Sequence, residues 1–419
     1  MTESQTVKNH PPTDRLKENL WRYNFFAAMT FTPIMLPVIV LFWQENGLEM
    51  FDIFLLQSVF AVAVVLLEVP TGMVADRLGK RVSLIASSAF LLTGMTTYAL
   101  GFGFWIFLIA ELLLSFGISL LSGADSAFLY DTLKRLDRTD EYQRIEGRAR
   151  SIQLASVALC NLIGGFVGAY SYRMTLWLSA IGPFIALFTA FGFIEVNRPN
   201  TPRAFREGIA SYSDLFGQSF HFVRKHRLIR WYILFSAVLT GSATWLLWLY
   251  QPYMRHCGLP IPMLGVAFTI FNLFAALVSR YAYRISDFFG QKKMVFVLMA
   301  LQIFPLPALS FFIYPFSFLF ILGHQAVRGI LSPVMKSWIL RYTYADKRAT
   351  VLSMNSMGGR LFFAITALVV GFVTDRAGIS QTILFQMALL IVFFGALIIA
   401  YHRIPEKYFH VKSMVQDNQ

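Results

Sequence analysis

Residues 21 to 402 read as a succession of apolar runs of about 20 residues, set apart by short polar or glycine-containing turns, and no other feature limits the fold as severely. An α-helix rises 1.5 Å per residue, so about 20 apolar residues match a hydrocarbon core about 30 Å thick. Twelve windows of this kind can be drawn, at 21–43, 51–71, 82–102, 104–124, 150–171, 174–195, 230–251, 262–284, 293–314, 316–340, 350–373 and 380–402. Only 14% of residues are charged, against about 25% in soluble domains. The expected class is therefore an all-α integral membrane protein with twelve transmembrane helices.

A formal charge of +13 would point to nucleic acid in a soluble protein. Here the cations gather at span ends. With the N-terminus inside, the outward hairpins hold only Arg173, Arg255 and Arg376, whereas the inward segments hold Arg77/Lys80/Arg81, Lys134/Arg135/Arg138 and Lys292/Lys293. That asymmetry predicts both termini in the cytoplasm, a multi-pass protein of the plasma (inner) membrane, and no nucleic-acid partner. Residues 1–20 lack the apolar core and cleavage site of a signal peptide and read as a cytoplasmic tail, as do residues 403–419. Bundles at 21–195 and 230–402 flank a basic linker, 196–229. The stretch Tyr212 to Val223 reads either as an interfacial helix or as a plain connector.

Between the second and third windows lies Gly72-Met73-Val74-Ala75-Asp76-Arg77-Leu78-Gly79-Lys80-Arg81. Gly72 and Gly79 permit close approach or positive φ, Asp76 and Arg77 can cap helix ends or pair with neighbouring charges, and Lys80 and Arg81 hold the turn inside. The pattern G-x-x-x-D-R-x-G-K/R-K/R in this place resembles the signature loop of the major facilitator superfamily, and the resemblance extends over residues 20 to 405. Asp287-Phe288-Phe289-Gly290-Gln291-Lys292 repeats the loop at an offset of 211 residues without its Asp-Arg pair. Gly371-Phe372-Val373 likewise echoes Gly165-Phe166-Val167. The resemblance implies two pseudo-symmetric six-helix bundles, and it implies that Asp131, at the inner end of span four, pairs with the basic part of the loop. In span five, Cys160-Asn161 followed by Gly164-Gly165 is similar to a worn antiporter element of that superfamily; ordinary close packing explains the glycines equally well.

Charges retained within spans are costly and so mark candidate functional positions. Glu111, Ser115, Ser119, Ser122 and Ser126 form one helical stripe, and His324, Arg328, Ser332 and Lys336, spaced by four, form another of opposite sign. In a duplicated architecture the two stripes are expected to flank one central space, either handling substrate and protons or neutralising each other. Arg360 follows Gly358-Gly359 in span eleven, and with Arg328 it predicts an electropositive pocket suited to an anionic ligand. Glu68 precedes Pro70 near the inner face and reads as a gate partner for an arginine of the signature loop or as a proton shuttle.

No nucleotide-binding G-x-x-x-x-G-K-S/T, catalytic cluster, metal-ligand cluster or N-x-S/T sequon occurs, so no cofactor, metal or enzymatic activity is expected. The resemblance implies a monomeric secondary transporter working by alternating access. Proton-coupled export of a drug-like, siderophore-like or other amphiphilic or anionic compound is the leading expectation. Proton-coupled uptake of a small anionic metabolite is the alternative, with a non-transporting membrane sensor more remote.

Overall fold

The structure is a computed structural model in which residues 13–196, 217–344 and 347–405 are described. Their regular elements are all helical: α1 (Thr13–Thr30), α2 (Ile39–Glu45), α3 (Met50–Leu78), α4 (Lys80–Leu100), α5 (Gly103–Leu121), α6 (Ala124–Arg135), α7 (Tyr142–Gly168), α8 (Tyr172–Phe191), α9 (217–225), α10 (Arg227–His256), α11 (Ile261–Ile303), α12 (Pro305–Phe311), α13 (Leu322–Arg341), α14 (Arg348–Ala377) and α15 (Ile379–His402). Short 3-10 turns lie at Thr139–Glu141 and Pro315–Ile321.

Ten segments among the described residues are long and apolar enough to cross a bilayer. Side chains such as Ile109, Phe166, Phe188, Ile365 and Val392 stand exposed on their outer faces, a surface that suits lipid and not water. One segment, Ile261–Phe311, has 51 residues, about 76 Å of helix and far more than one crossing needs. It turns at Gly290, whose φ of 68° and ψ of 163° lie outside any helix, and so holds the eighth and ninth expected spans. Gly79 ends α3 with φ 100° and ψ 151°. These two glycines stand at the offset of the sequence echo, and each adopts a positive φ that a side chain would resist. The glycine, and not the lost Asp-Arg pair, is what the duplicated turn requires.

The first expected span is not one helix. Its first helix reaches back to Thr13, so α1 includes residues 13–20, and the span breaks between Thr30 and Ile39. Pro33 and Pro37 lack N–H groups and disfavour the helical region for the residues before them. Hydrocarbon tolerates such a break only where protein supplies the missing partners. The Met35 amide donates to Ser179 Oγ at 2.9 Å and the Val40 amide to Gln251 Oε1 at 2.8 Å, while Gln251 Nε2 donates to the Leu36 carbonyl at 2.9 Å. The fourth expected span is α5, and at its end Gly123 with φ 79° redirects the chain into a further helix, α6. In the linker, α9 covers 217–225, and Tyr212 lies outside the described residues.

The halves α1–α8 and α10–α15 meet at two glycine crossings. A Cβ on Gly165 of α7 would lie 2.6 Å from the Gly265 nitrogen of α11, and one on Gly371 of α14 would lie 2.8 Å from the Phe51 Cα of α3. The glycines echoed in the sequence are thus the points where one half touches the backbone of the other. One turn beyond Gly371, Asp375 accepts the Met50 amide at 2.9 Å and the Phe51 amide at 2.7 Å. A carboxylate there satisfies amides of the first turn of α3 at its positive end. Thr269 Oγ1 donates to the Ala158 carbonyl at 3.1 Å. Among the described residues, every hydrogen bond between the halves lies in the part of the bundle away from the signature loop. That end is shut.

Asp375→Ala removes two charge-assisted bonds, together worth about 1–2 kcal/mol after solvent screening of this exposed carboxylate. The shut end should open about tenfold more often, read as a longer spin-label distance between positions Glu45 and Arg376. An unchanged distance distribution would remove Asp375 from the closure.

Candidate functional site

Three helices of the second half, α10, α13 and α14, and one of the first, α3, enclose a cavity of about 630 Å³. Its wall runs from Gln57 and Phe363 to Lys336 and Leu352, which lie within about 8 Å of the signature-loop ends of α13 and α14 by helical rise. The cavity sits beneath the shut end and extends toward the loop end.

His324, Arg328, Ser332 and Lys336 occupy one face of α13 because they are spaced by four, and that face lines the cavity. Arg360 joins them from α14. It emerges beside a close helix contact, since a Cβ on Gly359 would lie 2.9 Å from Thr240 of α10. Arg328, Lys336 and Arg360 are the cations of the wall, which contains no carboxylate. Arg328 Nη2 donates to Asn272 Oδ1 of α11 at 2.6 Å, which fixes one edge of the guanidinium. Lys336 and Arg360 hydrogen-bond no described residue.

Neutral polar groups complete the wall. His324 is buried with Nε2 3.0 Å from the Gln302 carbonyl, so that nitrogen carries the proton and Nδ1 is left as an acceptor. His324 Nδ1, Gln325 Oε1, Asn355 Oδ1 and Trp248 Nε1 are buried without a protein partner. Such atoms cost about 1–3 kcal/mol each unless water or a ligand satisfies them. Phe60, Trp248, Tyr250 and Phe363 supply aromatic surface. The arrangement can therefore hold an anion by its charged group and an apolar portion against the rings.

Glu111 does not face this space. With Ser115 and Ser119 it is buried inside the first half, where its Oε1 accepts from Gln57 Nε2 at 2.5 Å and from Tyr98 OH at 2.6 Å. The acidic and basic stripes do not flank one space, and Glu111 does not pair with Arg328, because the polar face of α5 packs on α3 and α4. Gln57 lies in the cavity wall and separates Glu111 from it. Glu68 acts electrostatically on Arg360 of the other half, without an ion pair between them; its expected partner was an arginine of the signature loop.

The signature loop is tied to its own half. Lys80 forms an ion pair with Asp131 of α6. The Arg81 amide donates to Glu195 Oε2 at 2.8 Å and its guanidinium to the Phe191 carbonyl at 2.7 Å. Glu195 thereby sits at the positive end of α4; burial pushes its carboxyl up, opposed by the Arg81 amide and the Lys80 charge. Gly79 leaves room for this, since a Cβ there would lie 2.5 Å from Glu195 Oε2. Gly72 has nothing within 4 Å of a Cβ position and is not a close-packing glycine. Arg77 is half-buried, and Asp76 is exposed and hydrogen-bonds no described residue. In this conformation Asp76 holds no gate.

Charge patterning within the spans does not point to the neutral amides Gln57, Asn272, Gln325 and Asn355, nor to Glu195 at the end of the sixth window. The signal for the first four was an uncharged amide inside an apolar window. Glu195 closes the sixth window, 174–195, and its charge at that span end was the available signal.

Residues 23–253 and 233–416 match the family model described as Major Facilitator Superfamily. No curated protein matches the chain. A mutant form of the nucleoside transporter NupG superposes with a TM-score of 0.78 at 13% identity, covering 92% of this chain and 100% of that one. A mutant form of the peptide transporter POT gives 0.70 at 14% identity, covering 96% of each chain. A bacterial homolog of the human lysosomal transporter Spinster, in an inward-facing and occupied conformation, gives 0.69 at 12%, covering 93% of this chain and 97% of that one. At such identities the likeness concerns the fold.

Because Glu111 and Arg328 have separate partners, the stability losses of Glu111→Gln and Arg328→Gln should add in the double variant to within about 0.5 kcal/mol. Melting temperatures across the four proteins test this. Recovery of stability in the double variant would instead reveal a direct pair.

Proposed function

The chain belongs to the major facilitator superfamily, and from that premise we propose that it carries a small organic anion through the central cavity by alternating access. The observation that carries this reading is the cavity wall: Arg328, Lys336 and Arg360 with no carboxylate among them. Planar guanidinium groups bind carboxylate or phosphate through paired hydrogen bonds, and Arg328 is already oriented by Asn272. About 630 Å³ lies within the usual range for small-molecule sites, about 300–1,000 Å³. The aromatic wall favours a cargo with an apolar or ring-bearing part. One chain encloses the whole cavity, which supports action as a monomer.

In this reading the basic loop end faces the cytoplasm, so the cavity is open to the cytoplasm and loads from there. An interior-negative potential favours exit of an anion by about 2.3 kcal/mol per charge per 100 mV, which supports export. Proton uptake in exchange would use Glu111, one side chain behind the wall, or Glu68, which acts on Arg360. Coupled uptake of an anionic metabolite is the alternative, and the direction of coupled flux separates the two.

Thermal shifts of the purified protein against paired ligands, each carboxylate or phosphate matched with an uncharged isostere, test the cargo class. Anionic members should raise the melting temperature and neutral partners should not. Arg360→Gln should weaken the responding anion about 10- to 100-fold, and Arg328→Lys, which keeps the charge and loses the fork, about tenfold. Equal responses to charged and neutral members would reject the anion reading.

A further inference from the structure

A second hollow, of about 410 Å³, opens at the signature-loop end of the first half between α1, the α6–α7 turn and α7. Lys17 and Trp21 lie one turn apart on α1, and Arg144 and Arg148 one turn apart on α7, so each helix presents one face to the space. Arg138 enters from the turn. The wall thus holds four cations, Lys17, Arg138, Arg144 and Arg148, against one carboxylate, Glu141. Arg138 already holds that carboxylate through two bonds, at 2.5 and 2.8 Å. Arg144 and Arg148 are exposed and hydrogen-bond no described residue.

The surroundings separate this hollow from an ordinary basic surface. Trp21 is 59% exposed beside it, and Phe25, one turn further into the bilayer on the same face of α1, is 42% exposed. An exposed indole next to cations at a span end suits the headgroup level, and the ring beyond it suits acyl chains. We propose that the hollow binds the phosphate of an anionic membrane lipid, held between Arg144 and Arg148, with its chains running along Trp21 and Phe25. A soluble phosphate compound would meet the same cations but gain nothing from the Trp21–Phe25 strip. The bound headgroup joins the loop ends of α1 and α7. Those helices lead to the broken first span and to the Gly165 crossing, so the lipid steadies the half that must move as one body. This site is independent of the cargo.

The test uses the full chain in detergent with phosphatidylglycerol, phosphatidylcholine of the same acyl chains, or inorganic phosphate, read by melting temperature and by native mass spectrometry. Phosphatidylglycerol should stay bound and raise the melting temperature by several degrees, and the other two should not. Arg144→Gln/Arg148→Gln should weaken retention about thirtyfold for the two charges removed. Arg144→Lys/Arg148→Lys should stay within about threefold of the parent, which separates lost charge from lost folding. A control pair on α9, Arg224→Gln/Lys225→Gln, should behave as the parent. Equal retention of phosphatidylcholine, an equal loss in the control pair, or the same rise with inorganic phosphate would each overturn the proposal.

Discussion

An unpaired backbone N–H or C=O in hydrocarbon costs several kcal/mol, so a chain that crosses a bilayer stays helical or takes partners from elsewhere where it does not. Much of this architecture follows from how those partners are found. The break between α1 and α2 takes Ser179 from α8 and Gln251 from α10, and the first turn of α3 takes Asp375 from α14. Gln251 and Asp375 belong to the opposite half. The places where helices stop are therefore the places where the halves join, and the shut end of the cavity results from satisfying those stops. Near the membrane surface water can replace both side chains, so open and closed states need differ by only a few kcal/mol, as alternating access requires.

The second constraint is charge. Arg328, Lys336 and Arg360 share one space without a carboxylate, which is tolerable while that space extends to the loop end and holds water. Closing the loop end over an empty cavity would strip solvent from three like charges with nothing to offset the cost, whereas closing it over an anion would leave them paired with an opposite charge. In the proposed reading the cargo thus lowers the barrier to its own passage. The signature loop is braced within its own half, with Lys80, Arg81 and Gly79 set against Asp131 and Glu195, while Asp76 stays exposed.

Hydropathy made the fold class legible, because lipid leaves a chain few options. The echoes were legible too, and the structure gives them a cause: Gly79 and Gly290 share a positive φ, and Gly165 and Gly371 are the crossings between halves. The basic face of α13 followed from four-residue spacing. Two kinds of information were not legible. Helix breaks depend on distant partners, so nothing near Pro33 and Pro37 announced that Gln251 would permit an interruption. The rotation of α5 about its own axis decides what Glu111 meets, and periodicity groups the residues of a stripe without saying which neighbour the stripe faces.

The most direct test of the central claim is exchange in proteoliposomes, with a labelled organic anion outside and the same anion or its uncharged isostere inside. The account predicts saturable uptake of label that is accelerated several-fold by internal anion, is not accelerated by the isostere, and is lost in Arg360→Gln. Acceleration by the neutral isostere equal to that by the anion, or anion binding with no exchange at all, would contradict it.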